Sequence, residues 1–293
     1  MKSLNYFEFE PEKNPFQIIF ADITHRCNMA CANCYIPNRQ IPDMDKEKFL
    51  DLLKRLPQKK TYIRLSGGEA TLRPDLCEMI EQIHLAGHVP FLLTNGLKLA
   101  DLDYVKNLRK SGLRNVHLSM SGVDNDEIYL KTDKMRCAKE KTQALYNCDS
   151  VGIRMHVGAI LVKDLNEETP LKLLNLIKTL RRPAELRFRN IGKLGRYMKD
   201  ESNSMNFDEM LTLVCASLDI NVNAIRDFKT TPYQVRFPLN PSAPNRSIWI
   251  RVTDWRAEDG FLPDPNSKRR GRVTADFKIA PFFEHVKKNE FGY

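Results

Sequence analysis

No stretch of this 293-residue chain stays apolar over the roughly 18 residues that a membrane-spanning helix needs, and residues 1–15 lack the apolar run of a secretory signal. A soluble protein in a reducing, cytoplasmic setting is therefore expected. Cysteine supplies no disulfide framework: there are seven, an odd number, with Cys27, Cys31 and Cys34 crowded together and Cys77, Cys137, Cys148 and Cys215 scattered. There is no internal repeat of fixed period and no low-complexity tract. Nor is there a broad block of one charge. The formal net charge is +9, yet bases and acids interleave except at Lys268, Arg269, Arg270 and Arg272. That run reads either as a solvated loop or as a footprint for nucleic acid or another acidic partner.

What is present is a globular composition, 42% hydrophobic and 28% charged. The length suits one α/β domain of about 200 to 250 residues with an extension. From Gln17 onward strand-like and helix-like segments alternate, the pattern of a parallel sheet covered by helices. Strands are predicted at 17–22, 61–66, 89–94, 114–119, 153–162 and 185–190. Apolar residues at three- and four-residue spacing predict crossover helices at 45–56, 74–86, 101–111, 136–148 and 167–180. After Asn190 comes a polar loop, then a helix over 206–220 with Asn206 as N-cap and Glu209 three residues later. Two period-2 segments, 247–253 and 272–279, predict a small β-rich tail. The chain thus divides into an N-terminal segment (1–16), a core (17–192) and an extension (193–293).

The cysteine triplet follows directly on the first predicted strand. Three thiolates in one short loop are soft ligands for zinc, copper or an iron–sulfur cluster. Structural zinc wants a fourth ligand, for which His25 is near. A cubane cluster normally takes four cysteines, so three with no fourth nearby imply either zinc completed by histidine or a cluster with one open iron.

In its C-x3-C-x2-C spacing, CNMACANC at 27–34, the sequence resembles the radical S-adenosylmethionine (SAM) superfamily. Gly67-Gly68-Glu69 after the second strand is similar to that family's GGE motif, and Thr94-Asn95-Gly96 after the third to its TNG turn. Ser119 stands where members carry a serine near the ribose, and Val157 to Asn166 resembles the segment that passes the adenine. Asn33 before the last cysteine and Ala70 after GGE depart from the common pattern without removing a ligand. The resemblance covers about residues 17–192. It implies Cys27, Cys31 and Cys34 as ligands of one [4Fe-4S] cluster, with Gly67, Gly68, Glu69, Thr94, Asn95, Ser119 and Asn166 around SAM. It implies a partial (βα)6 TIM-like barrel, with the small β-rich C-terminal extension capping it by covering its open edge or mouth. Reductive cleavage of SAM and hydrogen-atom abstraction would follow, fed by an acidic electron donor such as flavodoxin or ferredoxin. With only Cys215 beyond residue 191, an auxiliary cluster is not expected.

In such a barrel one face of each strand meets helices and the other faces the lumen. Alternation then assigns Arg64, His117, Arg154, His156, Arg187 and Arg189 to the lumen. Cations buried together need anions. Either internal partners such as Glu69 and Asp22 supply them, or a small substrate bears a carboxylate or phosphate held by Arg154, His156, Arg187 and Arg189. Cys137, near the start of its helix, is either a small core residue or a hydrogen-atom donor to a substrate radical. Trp249, Trp255, Phe282, Phe283 and His285 either pack the tail or cap the barrel mouth. Two further classes stay open: a peptide- or nucleic-acid-modifying radical enzyme, and a non-catalytic zinc or iron–sulfur protein.

Overall fold

A computed structural model describes residues 8–34, 36, 39–182, 184–191, 203–231, 233–244, 247–254 and 270–281. Apolar residues at every second position build the strands that carry the site: β1 (Ile18–Thr24), β2 (Tyr62–Gly67), β3 (Val89–Thr94), β4 (Asn115–Ser119), β5 (Arg154–Ile160) and β6 (Glu185–Arg189). The connecting helices are α1 (Lys46–Arg55), α2 (Leu76–Leu85), α3 (Leu102–Lys110), α4 (Asp126–Thr132), α5 (Ala138–Ser150) and α6 (Thr169–Lys178). Their apolar faces cover one side of the sheet. Ile63, Leu65, Val116, Leu118, Val157, Leu186 and Phe188 join Phe49, Leu52, Ile80, Leu108, Leu145 and Leu173 in one continuous buried core.

Side-chain caps fix where the helices begin. Asp45, Asp101 and Asn125 accept hydrogen bonds from the first-turn amides of α1, α3 and α4. The expected capping box is present at α7 (Phe207–Ser217): Asn206 accepts from Glu209 N, and Glu209 accepts from Asn206 N. The short α4, between Gly122 and the helix of Cys137, was not among the expected elements.

The tail joins the sheet at its open edges. It forms β7 (Lys229–Thr231), β8 (Gln234–Pro238), β9 (Trp249–Thr253), β10 (Arg270–Val273) and β11 (Ile279–Pro281), all in the same sheet. The strand order is β11-β10-β1-β2-β3-β4-β5-β6-β9-β8-β7. β9 pairs parallel with β6, and β10 parallel with β1, so the tail lengthens the parallel sheet at both edges. β11 and β8 then pair antiparallel outside them. No pairing among the described residues closes β11 onto β7, and the sheet remains a partial barrel.

The basic run is divided by this topology. Lys268 and Arg269 lie outside the described residues, as do Trp255, Phe282, Phe283, His285 and most of the polar loop after Asn190. Arg270 and Arg272 belong to β10, and Arg272 is buried in an ion pair with Asp22 of β1. It is therefore a strand residue, not part of a solvated loop.

β10 docks closely because Gly271 has no side chain. A Cβ there would lie 2.4 Å from Phe16 Cδ2 and 2.8 Å from Ile279 Cγ2. Gly271→Ala is expected to destabilise the fold by about 1–3 kcal/mol in urea denaturation. An unchanged midpoint would mean that β10 does not pack there.

Candidate functional site

The C-terminal ends of β1, β2 and β3 meet at one place, tied by hydrogen bonds that the sequence motifs specify. Beyond Thr24 the chain crosses the end of β2: Gly68 N donates to Thr24 O at 2.7 Å, and Glu69 N to Arg26 O at 2.8 Å. A Cβ at Gly67 would stand 2.0 Å from Thr24 O, and one at Gly68 would stand 2.3 Å from Arg26 O. Gly67 also has φ +125, which only glycine adopts readily. The glycine pair is thus demanded by the seating of the cysteine loop itself. Arg26 pairs with Asp43, which also accepts from Thr24 Oγ1, and so holds the start of the loop.

Glu69 is buried, and its carboxylate organises the next two turns. Oε1 accepts from Thr71 N, Thr71 Oγ1 (2.6 Å) and Thr94 Oγ1 (2.7 Å), while Oε2 accepts from Asn95 N (2.7 Å). Asn95 Nδ2 then donates to Asn28 Oδ1 in the cysteine loop at 2.8 Å. The three segments therefore form one hydrogen-bonded unit.

Cys27, Cys31 and Cys34 are half-buried free thiols in that unit. Arg39 Nη1 donates to the carbonyls of Cys27 and Met29, and Cys34 N donates to Cys31 O at 3.3 Å. Burial pushes the thiols of Cys27 and Cys31 above the ordinary range, and the charge of the neighbouring cysteines adds to it. Cys34 Sγ lies 3.7 Å from Ile36 O.

Of the other residues expected around SAM, Ser119 closes β4 and its carbonyl accepts from Lys141 Nζ. Asn166 is buried, with its amide committed to the backbone. Oδ1 accepts from Val162 N, and Nδ2 donates to Ser121 O and Ile160 O. It shapes the exit of β5. Ser121, not singled out in the sequence, is the more central serine: its Oγ accepts from Ile160 N and its carbonyl from Asn166 and Thr169. Cys137 is the N-cap of α5, buried against Met29, Tyr129 and Ala138 behind the cysteine loop, and burial pushes its thiol up to about 11.

The lumen is cationic, with a membership that differs from the alternation reading. Arg154 is exposed at the opening residue of β5, the strand end remote from the cysteine loop, and is not a lumen residue. Glu185, which opens β6, is the internal anion. It accepts from Arg187 Nε (2.8 Å) and Arg236 Nη2 (3.3 Å), with Arg251 Nε at 3.0 Å. Burial opposes its charge, but the neighbouring His156, and after it the guanidiniums of Arg187 and Arg251, hold it well below the usual carboxylate range. Arg236 and Arg251 come from the tail strands. The alternation in 247–253 could have revealed Arg251, since it pairs in register with Arg187.

Arg64 lies between the rings of Phe20 (5.0 Å) and Phe91 (4.8 Å). Among the described residues it has no hydrogen-bond or ion-pair partner, and its buried Nε is unsatisfied. Burial and the charges of Arg187, Arg270 and Arg251 make its protonated form costly. His117 and His156 are neutral. Burial lowers both, His156 to about 4, and Arg187 Nη2 donates to His156 Nδ1 at 3.0 Å. Arg189 sits one alternation above Arg187 on β6.

The model of the Radical SAM superfamily matches residues 22–177. The chain belongs to the radical SAM superfamily. It is 32% identical over 139 residues to 7,8-dihydro-6-hydroxymethylpterin dimethyltransferase of Methanocaldococcus jannaschii, covering 45% of this chain and 27% of that one. It is 25% identical over 214 residues to GTP 3',8-cyclase of Aquifex aeolicus, covering 68% and 64%. The chain thus spans between about a quarter and two thirds of the length of these relatives. In fold it is similar to Streptococcus suis SuiB bound to S-adenosylmethionine, with a TM-score of 0.64 at 14% identity over 91% of this chain and 60% of that one.

Radical SAM proteins bind a [4Fe-4S] cluster and SAM, and the residues here fit both. Cys27, Cys31 and Cys34, three free thiols on one loop, would hold the cluster as soft ligands. Among the described residues no three His, Cys, Asp or Glu side chains converge as one metal ion would require. In a radical SAM site Glu69 Oε2, with one amide donor in hand, retains acceptor capacity toward the ammonium of SAM.

Glu69→Gln replaces with an NH2 group one of two oxygens, each of which has a donor pointing at it. It is expected to lower SAM affinity at least tenfold and to reduce iron uptake, as read by equilibrium binding and iron analysis. A second expectation concerns pH. His156 is held near 4 when folded, against about 6.5 unfolded. Unfolding therefore takes up a proton below pH 6.5, and its stabilising effect, complete above that pH, is lost as pH falls toward 4. The urea midpoint should decline between pH 7 and 5, less steeply in His156→Gln.

Proposed function

We propose that the chain is an enzyme that reductively cleaves SAM and removes a hydrogen atom from a small polar substrate carrying a carboxylate or phosphate. The observation that carries the anionic part is the imbalance in the lumen. Among the described residues the guanidiniums of Arg187, Arg236 and Arg251 share the carboxylate of Glu185, and Arg64 has no hydrogen-bond or ion-pair partner. A substrate anion there would satisfy groups that are costly to leave buried and unpaired. Arg187 and Arg251 are pre-positioned by Glu185, and Arg64 by its two aromatic rings. Planar guanidiniums so held suit bidentate recognition of carboxylate or phosphate.

When bound, the cluster and SAM supply one-electron cleavage of SAM to methionine and a 5′-deoxyadenosyl group that takes the hydrogen atom. The chain's own share is positioning and shielding. Glu69 and the turn at Asn95 orient the amino-acid end of SAM. The β5 exit, clamped by Asn166, lines the nucleoside end and sets its distance from the lumen. Exposed Lys131 and Lys134, beside the segment that supports the cysteine loop, favour an acidic electron donor such as flavodoxin or ferredoxin. The pterin, GTP and precursor peptide in the names of the similar proteins differ from one another, so the lumen's charge, not a relative's name, is the guide to the substrate.

Anaerobic reconstitution with iron and sulfide, followed by reductant and SAM, should yield 5′-deoxyadenosine. A fully loaded cluster that gives none would refute the reading. The lumen is tested separately. Pyrophosphate should raise the thermal midpoint of the wild type, whereas Arg64→Met should be as stable as the wild type or up to about 4 kcal/mol more so, and lose most of the pyrophosphate effect. An anion-insensitive wild type would contradict an anionic substrate.

A further inference from the structure

Beneath the cysteine loop lies a buried charge pair that the motifs do not use. Lys141, on α5, has a side chain only 1% exposed, and Asp133 one of 10%, with Nζ donating to Oδ2 at 2.6 Å. The same Nζ donates to Ser119 O at 2.9 Å and lies 4.8 Å from the centre of the Tyr129 ring. A lysine withdrawn from water costs several kcal/mol before pairing, and apolar replacement of such a pair is often neutral or stabilising. Fold stability alone does not account for it.

Its surroundings point to the cysteine loop. Thr132, adjacent to Asp133, accepts from Ala32 N at 2.7 Å, the residue directly after Cys31. Tyr129 and Cys137 pack with Met29 against Cys27, Cys31 and Met135. Lys141 therefore bridges two parts of the site: through Ser119 O the end of β4, and through Asp133 the loop that carries the thiolates.

We infer that Lys141, held by Asp133, is a positioning residue that sets the electrostatic environment of the iron–sulfur cluster and makes its reduction easier. This rests on the reading of Cys27, Cys31 and Cys34 as cluster ligands. Three thiolates make the site anionic, and an added electron makes it more so. A fixed positive charge, separated from water and within the low-dielectric body of the protein, offsets that added charge far better than a solvated one. Asp133 acts in the opposite sense, so the pair places the potential between two limits.

The test is a redox titration of the reconstituted protein, following the reduced-cluster electron paramagnetic resonance signal, with iron counted per chain. Lys141→Met should load iron as the wild type does and shift the midpoint to more negative potential. Asp133→Asn should shift it the other way, and Lys141→Arg should stay close to the wild type. Opposite shifts from the two members of one pair are not what a loosened loop would give. Equal midpoints for wild type, Lys141→Met and Asp133→Asn, all fully loaded, would overturn the inference. Should Lys141→Met fail to take up iron, Asp133→Asn decides alone: a midpoint equal to the wild type's overturns it. A wild type that binds no cluster would instead refute the ligand assignment.

Discussion

A single buried carboxylate, that of Glu69, holds the site in one piece. It accepts four hydrogen bonds from Thr71, Thr94 and Asn95, while its own amide is anchored on the loop that bears the cysteines. A carboxylate this deeply buried is tolerable only when its lone pairs are met, and here the donors come from two strand ends. Order in one turn thus enforces order in the next. The glycines before it serve the same end, because any side chain at Gly67 or Gly68 would displace the cysteine loop.

Charge is layered along the barrel axis. At the strand ends are the cysteine thiols and Glu69; below them the lumen is cationic around Glu185. The two layers are joined by the strands, with Arg64 and Arg187 in the middles of β2 and β6. A ligand with a neutral reacting carbon between a cationic SAM end and its own anionic group would fit that order. The buried Lys141–Asp133 pair adds a third charged element, placed on the helix side of the loop and away from the lumen.

The six inner strands were legible because each needs alternating apolar residues to meet helices, and their predicted and observed limits differ by at most two residues. The cysteine triplet could be singled out because its three residues are local in sequence. What escaped detection is non-local. Nothing in 247–253 or 270–273 says which sheet edge each will join, so a tail expected to cover the open edge or the mouth could not be assigned in advance to both edges. Glu185 was passed over because its role appears only when Arg236 and Arg251 arrive from strands about 50 residues away or more. Arg154 was misplaced because alternation gives a residue's face and not its depth along the strand. Lys141 gave no signal either, since a lysine on a helix ordinarily reads as solvated.

The most direct test of the central claim, that three thiolates leave one iron open for SAM, is electron paramagnetic resonance of the reduced, reconstituted protein with and without SAM. The account predicts a cluster signal whose shape and g-values change when SAM is added, and loss of that signal on replacing Cys27, Cys31 or Cys34. A signal indifferent to SAM, or a stable zinc complex in place of iron, would contradict it.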